Sequence, residues 1–203
     1  MNALQILLHT TNTMSAGEST FSGQIFLTGN GKSKIELRPV LDHATLIATG
    51  KPTRVTRGAF HGFSMPIYAA DDEELFFRTT TPNRWDEESD IICRVRGWID
   101  TANTDKKFKL QLSYAYAEPG DVLGATTTDL ETETSTGTAA QYTEFKVEFT
   151  IDYNSVAENP ISKNDLVAMR LRRIEASSDE ITGEFVIGHV GLVFQRNKMG
   201  EAI

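Results

Sequence analysis

Between residues 142 and 153 large and polar side chains change places at every step. Phe145, Val147, Phe149, Ile151 and Tyr153 alternate with Glu144, Lys146, Glu148, Thr150 and Asp152. A period of two puts each set on its own side of an extended chain. It predicts a strand with a core on one face and water on the other. Residues 108–116 repeat the pattern, with Phe108, Leu110, Leu112, Tyr114 and Tyr116 against Lys109, Gln111, Ser113 and Ala115. Residues 33–40 do so more briefly through Ile35 and Leu37.

Two further runs are apolar on both sides. In 91–99, Cys93, Val95 and Ile99 oppose Ile92 and Trp98, which share their face with Arg94 and Arg96. In 184–196, strict alternation sets Val186, Val190, Leu192 and Phe194 against Phe185, Ile187 and Val193. Such strands are expected inside a sheet, or under another chain. Residues 75–80 and 166–174 also read as strands. The tract 124–138 alternates Thr with Asp129, Glu131 and Glu133. Polar on both faces, it predicts an exposed edge strand whose charge discourages aberrant pairing.

Turn formers separate these runs: Gly29-Asn30-Gly31-Lys32, Pro82-Asn83 and Glu118-Pro119-Gly120-Asp121. The polar link 100–107 suits a long hairpin between its flanking strands. Gly58 and Gly62 interrupt the run 53–68 and suggest bulges. Phe60 and Phe63 beside them read as core aromatics rather than as a binding loop. No amphipathic helix is predicted. The expected fold is all-β, a two-sheet β-sandwich of jelly-roll type with an N-terminal arm or hairpin extension. The long connections near 100–107 and 118–141 favour jelly-roll order over a meander. Three segments are expected: 1–72, an arm with short strands for attachment or oligomer contacts; 73–196, the sandwich; and 197–203, a tail.

Charge narrows the partners. A formal net charge of −8 argues against sequence-independent binding to nucleic acid, which needs basic patches to neutralise phosphates. Arg170, Arg172 and Arg173 form the one basic cluster. Alternation puts Arg170 and Arg172 on one face, where ion pairs with surface carboxylates are a simpler reading than an anion site. No stretch approaches the length needed to span a bilayer, so no membrane partner is expected. The apolar run 4–8 is too short for a signal peptide. The lone Cys93 reads as a small core residue, in keeping with assembly in a reducing cytoplasm.

Candidate chemistry is sparse. Two acidic runs, 71–74 and 86–90, hold the calcium candidates Asp71, Asp72, Glu87 and Asp90. Neither run has the D-x-D-x-D-G spacing of a calcium loop, so solvated loops are the simpler reading and no cofactor is expected. Trp85 and Trp98 are the candidates for stacking on a ligand, with Tyr114 and Tyr116 behind them. For Trp85 a plug at the end of the sandwich is the competing reading. His9, His43, His61 and His189 are scattered, with no H-E-x-x-H or Cys-His grouping. His189 reads as a core histidine. No G-x-S-x-G is present. No catalytic residue is assigned, and the chain is expected not to be an enzyme.

The segment PNRWDEESDIICRVRGWIDTANTDKKFKLQLSYAYAEPGD resembles a jelly-roll module of tailed-phage and related viral structural proteins. The strands YTEFKVEFTID and DLVAMRLRRIEASSDEITGEFVIGHVGLVF extend that resemblance to about residue 194. It rests on the strand pattern and on the W-D…D-I…W-I spacing, and it transfers no catalytic residue. It implies a virion structural protein of head decoration, minor capsid or tail-associated type, located in the virion. The expected function is a capsid decoration or auxiliary protein that self-associates as a trimer and docks on the major capsid or another virion protein. The alternative is a carbohydrate- or receptor-binding β-sandwich module of a tail or fibre.

Overall fold

The computed structural model describes residues 25–26, 33–38, 40–44, 52–66, 73–123, 127–155, 159–196 and 198–199. They form β1 (Ile25–Phe26), β2 (Ser33–Leu37), β3 (Val40–Ala44), β4 (Thr53–Arg57), β5 (Phe60–Met65), β6 (Glu74–Thr80) and β7 (Ile91–Ile99). These are followed by β8 (Asn103–Thr104), β9 (Lys107–Ala117), β10 (Thr128–Ser135), β11 (Thr138–Ala139), β12 (Glu144–Ile151), β13 (Leu166–Ile174), β14 (Phe185–Arg196) and β15 (Lys198–Met199). The chain is an all-β sandwich of two antiparallel sheets. One sheet runs β10-β9-β13-β6-β3; the other runs β12-β7-β14-β5-β4, with β2 also paired to β14. The pairs β1-β15 and β8-β11 stand apart. Strands β2 to β5, assigned from sequence to the N-terminal segment 1–72, are members of the two sheets.

The alternation seen in the sequence becomes the core. Phe108, Leu110, Leu112 and Tyr114 of β9 are buried, as are Val147, Phe149 and Ile151 of β12 and Ile91, Cys93, Val95 and Ile99 of β7. Phe108 bridges the sheets. Its ring stacks on Phe185 at 4.4 Å and meets the edge of Phe145 at 5.5 Å. Burying one such side chain contributes roughly 1.5–3 kcal/mol.

Two expectations are corrected. The link 100–107 is not a hairpin, because β7 and β9 lie in different sheets. It crosses between them, and its β8 pairs with β11. The final strand does not keep strict alternation either. A bulge falls between Ile187 and His189 of β14. It shifts the parity, so Phe185, Ile187, Val190, Leu192 and Phe194 all join the core, while Val186 and Val193 face outward. The polar strand β10 is an edge of its sheet, as its composition predicted.

Trp85 is fully buried at one end of the sandwich. Its ring meets Phe194 edge-on at 5.9 Å, and Nε1 donates to Ser89 Oγ at 3.0 Å. The plug reading holds, and Trp85 is not available for stacking on a ligand. At the opposite end, Gly97 of β7 makes room for the Phe185 ring. A Cβ there would stand 2.3 Å from the carbonyl oxygen of Val186 and 2.8 Å from Phe185 Cζ. Gly97→Ala is therefore expected to destabilise the fold by about 1–3 kcal/mol through overpacking. A urea midpoint that does not fall would contradict this packing.

Candidate functional site

Turning one face of β9 inward turns Lys109, Gln111, Ser113 and Ala115 outward. The same holds on β13 for Ala168, Arg170 and Arg172, and on β6 for Glu74 and Phe76. Register then lines them up across the five-stranded sheet. Glu131, Gln111, Arg172 and Glu74 form one row over four strands; Asp129, Ser113, Arg170 and Phe76 form the next. A third row places Ala115 beside Ala168.

These side chains are tied to one another. Arg172 Nε donates to Gln111 Oε1 at 2.7 Å, and Gln111 Nε2 donates to Glu131 Oε1 at 3.0 Å. Lys109 Nζ lies 2.8 Å from Glu131 Oε2. Arg170 donates to Ser113 Oγ at 3.0 Å and pairs with Glu74 at 3.3 Å. Hydrogen bonds from Lys109 and then Gln111 hold the Glu131 carboxyl below its usual range. Although they face outward, Gln111 is only 6 % exposed and Ser113 only 1 %. Arg170 Nε is buried without a partner. The result is a fixed array of planar donors and acceptors, braced by the buried Gln111 and Ser113 and lying beside the short Ala115 and Ala168. Arg170 and Arg172 are thus held by carboxylate and amide partners, and the expected ion pairing is present for Arg170.

Arg173 points the other way, into the sandwich, and is 4 % exposed. Its guanidinium donates to Glu180 and to the carbonyls of Pro66 (3.1 Å) and Gly183 (2.9 Å). Burial lowers its pKa. It fastens β13 to the end of β5 and to the turn before β14. Nearby, Ser64 Oγ donates to Glu184, and Glu73 Oε2 is buried without a partner.

The other sequence candidates are dispersed. Trp98 is 9 % exposed and lies on the outer face of the six-stranded sheet, outside the core cluster. A Cβ on Gly188 would come 2.7 Å from its ring, so the bulge glycine seats it. Its burial removes it as a stacking platform. Tyr114 is in the core, and the Tyr116 hydroxyl donates to the Asn159 carbonyl at 2.5 Å. Glu87 accepts from the Lys163 amide at 3.0 Å and from Nζ at 2.8 Å, while Asp90 is exposed. Among the described residues no three His, Cys, Asp or Glu side chains are grouped to hold a metal; Asp71 and Asp72 lie outside them. His189 is not a core residue: the bulge turns it outward, where Nε2 meets Glu36 Oε1 at 2.9 Å. His61 is exposed, whereas His9 and the His43 side chain lie outside the described residues. Phe63 packs on the core as expected, but Phe60 is 72 % exposed at the β4–β5 turn.

The sequence reading missed Gln111, Ser113, Glu131 and Glu74 as a group. Each is an ordinary outward residue in its own strand. Only the pairing of β10, β9, β13 and β6 brings them into rows.

No protein-family model matches this sequence, and no curated protein matches it. Solved structures similar to it include carbohydrate-binding modules. The CBM36-1 domain of a multidomain xylanase from the hindgut metagenome of Trinervitermes trinervoides is 10% identical, covers 84% of this chain and 100% of its own, and gives a TM-score of 0.37. A family 11 module from Clostridium thermocellum, in complex with a mixed-linked tetrasaccharide, is 10% identical over 85% of this chain and 96% of its own, at a TM-score of 0.37. A CBM28 module specific for non-crystalline cellulose is 11% identical over 74% of this chain and 80% of its own, at 0.38. At this distance the likeness assigns no ligand.

Burial first, and Glu184 second, push the Glu73 carboxyl up from 4.5 to about 7. A folded value above the unfolded one means that folding takes up protons in that window. The stability Glu73 contributes therefore falls as pH rises from 4.5 to about 7. Glu73→Gln should gain on the wild type in melting temperature across that range and hold its advantage above it. A difference between the two that does not change with pH would refute the assignment.

Proposed function

We propose that this chain is a non-catalytic, glycan-binding β-sandwich module of a viral tail or fibre, whose ligand lies on the outer face of the five-stranded sheet. The observation that carries the reading is the ordered polar array of Glu131, Gln111, Arg172, Glu74, Ser113 and Arg170. Sugars present hydroxyls that donate and accept at fixed spacings. Carboxylate, amide and guanidinium groups match them, and here each is held in place by its neighbours before a ligand arrives. Such preorganisation reduces the ordering cost of binding. Ala115 and Ala168, short and reached by solvent, leave height beside the arginines for a flat ring. Placement on a virion follows from the sequence resemblance.

The second reading is a capsid decoration protein that docks on the major capsid protein. The exposure of Val122 (94 %) and Leu123 (71 %) on the loop after β9 favours it, since adjacent aliphatics in water suit a protein contact.

A glycan array of neutral and acidic oligosaccharides, followed by calorimetry on the hits, tests the first reading. Glu131→Ala and Arg172→Ala should each weaken binding roughly tenfold or more, about 1.4 kcal/mol. Arg94→Ala, on the outer face of the other sheet, should leave affinity unchanged. Absence of any glycan hit, or equal loss in all three variants, would sink it.

A further inference from the structure

The β4–β5 hairpin and the loop after β9 are chemical complements at opposite ends of the molecule. Residues 52–66 carry Arg54, Arg57 and His61 and no acidic residue, in a chain of net charge −8. Arg54, Arg57, Phe60 and His61 are all exposed. The Arg57 guanidinium lies 3.2 Å from the centroid of the Tyr142 ring, which is itself 37 % exposed. Arg57 is on β4, at the far edge of the sheet from β12, yet Tyr142 stands two residues before β12. The hairpin therefore reaches back across the outer face of the six-stranded sheet and holds its basic, aromatic tip there. Arginines within the sheets behave differently: Arg94, Arg96 and Arg170 each pair with a carboxylate. The hairpin arginines meet none among the described residues.

The loop 118–123 carries Glu118 and Asp121, both exposed, and no basic residue. Beside them stand Val122 and Leu123, at 94 % and 71 % exposure. Of the five exposed large apolar side chains among the described residues, three lie in these two elements, Phe60 on the hairpin and Val122 and Leu123 on the loop, and a fourth, Tyr142, is the ring that Arg57 covers.

The two cannot meet within one chain. The loop follows Ala117, which pairs with Leu166 and through it with Thr80, at the end of the sandwich where β7 begins. Tyr142 donates its amide to the Ile99 carbonyl, where β7 finishes. The nine residues of β7 separate those ends by roughly 25–30 Å.

We propose that the loop of one copy docks on the hairpin of the next, Glu118 and Asp121 toward Arg54 and Arg57, and Val122 and Leu123 against Phe60. Such a contact is heterologous. It generates a ring where the rotation closes and a filament where it does not. This proposal does not use the glycan face: the hairpin belongs to the other sheet and the loop lies beyond the end of β9, so either can fail without the other.

Sedimentation velocity on the full chain at rising concentration, in low and high salt, is the test. Concentration-dependent assembly that weakens with salt is expected. Phe60→Ser, Arg57→Glu and Asp121→Arg should each weaken it roughly tenfold or more. The double variant carrying both Arg57→Glu and Asp121→Arg should recover it, because the reversed charges again face each other between copies. A monomer at the highest soluble concentration would overturn the proposal. So would assembly that the three single substitutions leave unchanged, or a double variant no better than either parent.

Discussion

The bulge in β14 is the constraint on which the sandwich turns. β14 is central to its sheet, with β7 along one side. On the other side β5 pairs with Phe185–Ile187 and β2 with Leu192–Arg196. Without an added residue, a strand of this length could not send both Phe185 and Phe194 inward. The extra position at Gly188 lets the first half of the strand cover Phe108 and the second half cover Trp85. It also releases β5 from the sheet. From Gly62 onward toward its turn, β5 has no partner in β14. The basic hairpin can cross the outer face because its inner strand is freed at this point, and Trp98 is seated where the bulge has removed a side chain.

The two outer faces are polar in different ways. On the six-stranded sheet, Arg94 joins Glu36 and Glu148, each at 2.9 Å, and Arg96 joins Glu144 at 2.7 Å. These pairs stand in water, where each contributes about 0.2–1 kcal/mol. On the five-stranded sheet, Gln111 and Ser113 are buried and hydrogen-bonded to Glu131, Arg172 and Arg170, so the same residue classes form a tied and less hydrated layer. Charge alone does not distinguish the two faces. The depth of the short side chains does.

Much of the fold was legible because alternation is a local property. The edge position of β10 and the core faces of β9 and β12 follow from composition and period. What was hidden was relational. Alternation counted through Gly188 put Val190, Leu192 and Phe194 on the wrong face, because a bulge leaves no periodic signature when both faces are apolar. The crossing at 100–107 looked like a hairpin because polar length does not say which sheet comes next. The candidate site was hidden for the same reason: Gln111 and Arg172 lie 61 residues apart and meet only through strand pairing. Trp85 and Trp98 were attractive as ligand platforms on residue type, and the packing gave both to the structure.

Cys93 lies on the inner face of β7 with no exposed surface, and burial pushes its thiol up to about 12. A thiol kept protonated and out of reach neither exchanges with disulfides nor reacts with oxidants at an appreciable rate. The chain has no other cysteine. Its covalent connectivity is therefore the same in a reducing compartment and in an oxidising one. A sandwich held only by packing and hydrogen bonds can pass from one to the other with no bond to make or break.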